Sequence, residues 1–232
     1  MALSASEPVA EIVSTSNTTS YSTGNFSITA GDTIFVMLFA SGTLSTGLSS
    51  GMTGGNCNWY LEQTIAFTAA HTCYLYRGFC TGSSASTSLT FSCTDDAATG
   101  CMGFFLKVTG LNYFRPIRQY ATAIATTTTP GVSGLAATDT NNAYWMSYWT
   151  GTTETTISAP NVSWTMIANN VTYNTPTTFG SSAFRVNSET GTSYSFTQDT
   201  SGNARSMFIE INEASVGDQP VDLHGGGGFF GG

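Results

Sequence analysis

At 232 residues, with 9% charged and 41% hydrophobic side chains, the chain can bury a substantial core but must wet its surface with Ser, Thr, Asn and Gly. Fourteen acidic against six basic residues give a net charge of −8, which argues against nucleic acid as a partner, because phosphates are held by cations that replace counterions. Thr, Gly and Asn are poor helix formers, and together with abundant aromatics they point to strands and turns.

Residues 1–20 are small and polar, a candidate N-terminal arm. Their opening, "MALSASEPVAEIVS", lacks a basic segment and carries Glu7 and Glu11, so no signal peptide is expected. Short strands follow at 24–29, 33–40, 57–64, 72–79, 86–93 and 101–108, separated by Gly, Asn, Asp and Ser turns. The run Ile34 to Ala40 is the longest apolar stretch and is far below the ~20 residues of a spanning helix, so no transmembrane segment is expected. It is apolar on both faces, as a strand central to the packing must be.

A second series lies near 143–150, 162–168, 181–186, 192–197 and 206–212, with a further strand at 119–125. It repeats the first. "GDTIFVML" at Gly31 to Leu38 has the outline of "NNAYWMSYW" at Asn141 to Trp149, with Phe35 on Trp145 and Phe39 on Trp149. Trp59 matches Trp164, Phe91 matches Phe196 and Met102 matches Met207, each 105 positions apart. Several anchors in one order indicate an internal repeat. The Tyr144 to Trp149 run is bulkier than its counterpart and is expected nearer a surface or an interface. The last two strands of each copy are expected to pair as a hairpin. Leu89 and Phe91 would then meet Met102, Phe104 and Leu106, as Tyr194 and Phe196 would meet Met207, Ile209 and Ile211.

The expected organisation is an arm at 1–20, one sandwich at 21–118, a second at 119–215 and a glycine-rich tail at 216–232. In "VDLHGGGGFFGG" the glycines cannot hold structure alone. Either the tail frays or Phe229 and Phe230 dock on a neighbouring subunit or protein.

Five cysteines fall in the first copy without C-x-x-C spacing, and only two histidines exist, which argues against zinc. Strand pairing can set Cys57 opposite Cys80. Cys93 and Cys101 bracket a loop but fall on opposite faces of the expected hairpin, so bridging them needs a bulge. Cys73 is left free, and buried reduced thiols are the alternative throughout. "GLSSG" and "GGGFFG" match nucleophile-elbow and dinucleotide patterns only formally, since no helix follows either. Asp95 and Asp96 share a loop that suits a tight turn better than calcium or glycoside hydrolysis. Arg115 and Arg118 read as a solvated connector. Trp59 and Trp164 belong to the core. Trp145 and Trp149, with Tyr148, could form a sugar-stacking platform, though at strand spacing core is the commoner role. No catalytic residue, metal or cofactor is indicated.

The order "GDTIFVML … NWYLEQ … CYLYRGF … SLTFSC … CMGFFLKVTGL", followed by "RPIRQYATA", resembles a β-sandwich domain of tailed-phage virion proteins, with similar stretches in some bacterial surface proteins. The resemblance covers about Gly24 to Glu213 and carries no catalytic residues. It implies a component of the virion surface, a capsid decoration or fibre protein that is a symmetric homo-oligomer and touches other virion proteins. The expectation is therefore an all-β protein of two related antiparallel β-sandwich or jelly-roll-like units, separate or packed as one body. A receptor- or carbohydrate-binding module contacting glycans is the alternative. A hydrolase using Asp95 and Asp96 is a third reading.

Overall fold

The computed structural model describes residues 2–214 except 17, 42–50, 69–70, 93–99, 152–155, 162 and 175–176. Among them there are strands and turns and no helix. The first half runs through β1 (Ser4–Ser6), β2 (Ile12–Ser14), β3 (Ser20–Ser22), β4 (Phe26–Ile28), β5 (Thr33–Ser41) and β6 (Met52–Gly54). It continues with β7 (Cys57–Thr68), β8 (His71–Cys80), β9 (Ser84–Thr87), β10 (Leu89–Ser92) and β11 (Cys101–Thr109). The second half opens with β12 (Ile117–Thr127), β13 (Gly131–Val132), β14 (Ala143–Thr150) and β15 (Ile157–Ser158). It closes with β16 (Thr165–Asn174), β17 (Thr177–Val186), β18 (Tyr194–Ser195), β19 (Thr197–Gln198) and β20 (Gly202–Ile211).

Each half contributes one large antiparallel sheet, and the two have the same strand order. The first runs β1-β11-β5-β8-β7, with β2 also on β11; the second runs β12-β20-β14-β17-β16. Small sheets cover the outer faces: β3-β10-β6 and β4-β9 on the first, β13-β18 and β15-β19 on the second. The large sheets meet face to face, so three apolar layers alternate with the sheets. Phe35, Met37, Phe39, Phe104, Trp145, Trp149, Met207 and Ile209 belong to the shared central core. Val36, Trp59, Phe91 and Phe105 lie in the first outer core, and Tyr144, Tyr148, Trp164, Phe196 and Phe208 in the second. The two sandwiches are one body with a common interior.

This layering explains both apolar runs. β5 and β14 are the middle strands of their sheets and are covered on both faces. A strand in that position cannot alternate with polar residues. Trp145 and Trp149 are fully buried, in the core role that strand spacing favours and not on a sugar-stacking platform or the outer surface: they point from β14 into the shared core, and Trp149 stacks on Phe104 of the other half at 5.9 Å. Tyr148 is also fully buried, beside Phe196 in the second outer core. Burying such a side chain contributes on the order of 1.5–3 kcal/mol.

The expected hairpins do not form. β10 pairs with β3 and β6, whereas β11 pairs with β1, β2 and β5, so the two face each other across the outer core instead of sharing a ladder. Phe91 accordingly stacks on Phe105, at 6.0 Å, and not on Phe104. In the second half Tyr194 stacks on Phe208, at 5.3 Å, while Met207 and Ile209 turn to the shared core. Because β11 and β20 carry large buried apolar side chains on both faces, Met102 and Phe104 against Phe105, and Met207 and Ile209 against Phe208, alternation alone cannot tell which face meets the preceding strand.

Register refines the repeat as well. Phe35 pairs with Leu106, and its counterpart Trp145 pairs with Ile209. Leu106 and Ile209 are thus equivalent, which places Met207 opposite Phe104 in the comparison of halves and not opposite Met102. A two-residue offset preserves the face, so hydrophobic periodicity does not detect it. The residues expected to be an uncommitted arm supply β1 and β2, the broken outer edge of the first large sheet.

Candidate interaction surface

Two tryptophans at equivalent points show how local chemistry differs between halves. Trp59 is 3% exposed and lies over Gly78, where a Cβ would sit 2.7–2.8 Å from three indole atoms. Its Nε1 donates to the Gly54 carbonyl at 3.1 Å. Trp164 is 5% exposed, and its Nε1 donates to the Glu189 carboxylate, which also pairs with Arg185 at 3.0 Å. Beside Trp59, Cys57 and Cys80 are directly opposed on β7 and β8 and joined in a disulfide. Cys73 keeps a free, buried thiol, whose pKa burial pushes up. Cys101 is buried in the first outer core, and Cys93 lies outside the described residues.

The connector between the halves, from Gly110 to Pro116, walls a cleft of about 390 Å³ against the first large sheet. Thr33, Tyr60, Arg77 and Phe79 form the sheet side, and Leu111, Tyr113 and Pro116 the connector side. Arg77 donates from Nε to Glu62 at 2.6 Å and lies 4.8 Å from the centre of the Tyr60 ring, so its charge is held on two sides. Tyr113 meets Phe79 edge-on at 5.3 Å and donates its hydroxyl to the Gly31 carbonyl at 2.8 Å. Burial first, and the nearby Asp32 second, raise the Tyr113 pKa, so the phenol stays protonated and able to donate.

Past the connector, a buried carboxylate anchors the start of β12. Glu210 is fully buried on β20. It accepts from Arg118 Nη1 at 2.7 and 2.9 Å, from Gln119 Nε2 at 2.5 Å, from the Asp139 amide at 2.7 Å and from Asn142 Nδ2 at 2.8 Å. Five such bonds satisfy a charge that burial would otherwise make costly. Arg118 is therefore not a solvated connector residue, as the sequence suggested; it fixes β12 to β20 and, through the Ala137 carbonyl at 2.9 Å, to the segment before β14. Nothing in the sequence signals this pair, whose members are 92 positions apart.

Beyond that anchor β12 turns apolar side chains outward. Tyr120 is 53% and Ile124 59% exposed, and Phe114 in the connector is 78% exposed. Tyr120 and Ile124 sit on the face of β12 continuous with the shared core, since Tyr120 pairs with Ile209 and Thr122 with Met207. Alternate residues Ala121 and Ala123 pack on the second outer core. Alternation and short side chains give no obvious surface signal, which is why sequence reasoning missed this face.

Of the other sites raised by the sequence, Phe229, Phe230, Asp95, Asp96 and His224 lie outside the described residues, as does the serine of "GLSSG". His71 stacks on Phe39 at 5.5 Å and shares a hydrogen bond with Thr68 at 2.7 Å, and burial lowers its pKa. No helix among the described residues is long and apolar enough to cross a membrane. Comparisons of the chain with protein-family models, curated proteins and solved structures find no match. The likeness to virion sandwich domains thus rests on the quoted motifs alone.

Proposed function

We propose that the protein is a non-enzymatic structural component of a virion surface, a capsid decoration or fibre subunit, acting through contacts with its own copies and with other virion proteins. The observation that carries the reading is that the three most exposed large apolar side chains among the described residues, Phe114, Tyr120 and Ile124, fall on one short stretch of the chain. Such a stretch suits subunit contact, where aromatic anchors do most of the binding. The spent charges agree with it, because Arg77, Arg118, Arg185 and Lys107 are all engaged by carboxylates of the same chain. Immunogold electron microscopy of particles from the strain encoding the chain tests this. Label on heads or fibres is expected, and particles without label would contradict the assignment.

A glycan-binding role is the second reading, favoured by the cleft where Tyr60 and Tyr113 flank Arg77. Tyrosine faces beside a guanidinium can stack on and hydrogen-bond to a sugar. Glycan-array binding that is lost in Tyr60→Ala would support it, and no binding by the native chain would dismiss it.

A further inference from the structure

The outer strands of the large sheets differ in how they are guarded. An edge strand presents unpaired N–H and C=O groups, and proteins that must not pair there shorten, bulge or charge the strand. Three of the four edges carry such devices. β1 and β2 are three residues each. On β7 the ladder is irregular between Leu61 and Gln63, bracketing Glu62, and again between Ala66 and Thr68. On β16 it is irregular between Met166 and Ala168 and between Ala168 and Val171, with Asn170 at a φ of 53°.

β12 has none of them past its first residues. Its one irregularity falls between Ile117 and Gln119, after which it is regular to Thr127. From Gln119 to Thr127 the sequence "QYATAIATT" carries no charge and no proline. Among the described residues β20 is its sole ladder partner. We propose that this edge is a homodimer interface, in which β12 pairs antiparallel with β12 of a second copy and joins the two five-stranded sheets into one.

The strand's own sequence favours a second copy as occupant. β12 has eleven residues, so full overlap puts the two-fold axis at Thr122. Thr122 then opposes Thr122 of the second copy, Tyr120 opposes Ile124, and Ala121 opposes Ala123. Threonine pairs and aromatic–β-branched pairs are favourable cross-strand neighbours. No register position sets like charges together, which matters for two bodies of net charge −8. The exposed Tyr120 and Ile124 side chains cover each other twice, and a two-fold contact closes on itself, so the edge does not propagate into a fibre. The inference is independent of whether the protein belongs to a virion.

Sedimentation velocity of the full chain at micromolar concentration tests it. The native chain sediments as a dimer. Thr122→Lys and Thr122→Glu, each at an exposed position that leaves the monomer intact, weaken association by about 100-fold by opposing like charges at the axis. An equimolar mixture of the two variants restores the dimer, an outcome that misfolding would not produce. Thr122→Cys gives a covalent dimer under mild oxidation. A monomeric native chain, with this edge covered by another segment of the same chain, would overturn the proposal. So would Thr122→Lys that dimerises like the native chain, or a mixture that stays monomeric.

Discussion

The two halves share a strand order and differ in nearly every polar detail. Before the central strand, Asp32 and Asn142 occupy equivalent turns, and the amide of each donates at 3.0 Å to the carbonyl three residues earlier, Thr29 or Asp139. In the first half Asp32 lies 3.8 Å from Lys107. In the second, the position of Lys107 is taken by Glu210, with Arg118 supplying the opposite charge. Under the indoles, a glycine and a disulfide in one half are replaced by an Arg185–Glu189 pair in the other. The topology therefore depends on β5 and β14 being apolar on both faces, while the polar pairs at sheet ends can invert provided each is satisfied.

Equivalence in the shared core predicts the largest effects. Phe39→Ala and Trp149→Ala remove matching side chains from opposite walls, and each lowers unfolding free energy by about 3–5 kcal/mol in denaturant titrations. A negligible cost for either breaks the comparison. The inverted charges should separate next. Glu210→Gln leaves Arg118 without its counter-ion and costs roughly 2–4 kcal/mol, toward the lower end because Arg118 is 35% exposed. Lys107→Ala, at the equivalent position, costs less than about 1 kcal/mol.

Gly78→Ala tests the close approach special to the first half. Its methyl group would enter the Trp59 ring, with an expected loss of about 1–3 kcal/mol and a shift in tryptophan emission. The smallest effect is in pH. His71 binds a proton less readily folded than unfolded, because burial lowers its pKa. Its contribution is fully present above the ordinary histidine value and is lost as pH falls through that value toward the folded one. Denaturation midpoints measured from neutral to mildly acidic pH should decline less steeply in His71→Gln.

The features legible in the sequence were those carried by local pattern. The doubled turn-and-strand, the two buried indoles and the opposition of Cys57 to Cys80 follow from periodicity and spacing. The hairpins were misread because Met102 and Phe105, on opposite faces of β11, are equally apolar, and only the layer between the halves explains why. Trp145 and Trp149 suggested a platform for the same reason. The bonding of Arg118 to Glu210 and the unguarded edge of β12 depend on which strands become neighbours across long separations, information that residue alternation does not contain.

Native-state hydrogen exchange read by mass spectrometry tests the shared core most directly. If the two sandwiches have a common interior, β5 and β14 exchange with one free energy, and Trp149→Ala lowers protection of 33–41 as much as that of 143–150. Loss of protection confined to the second half would mean that the halves are stable apart, and would contradict the single body described above.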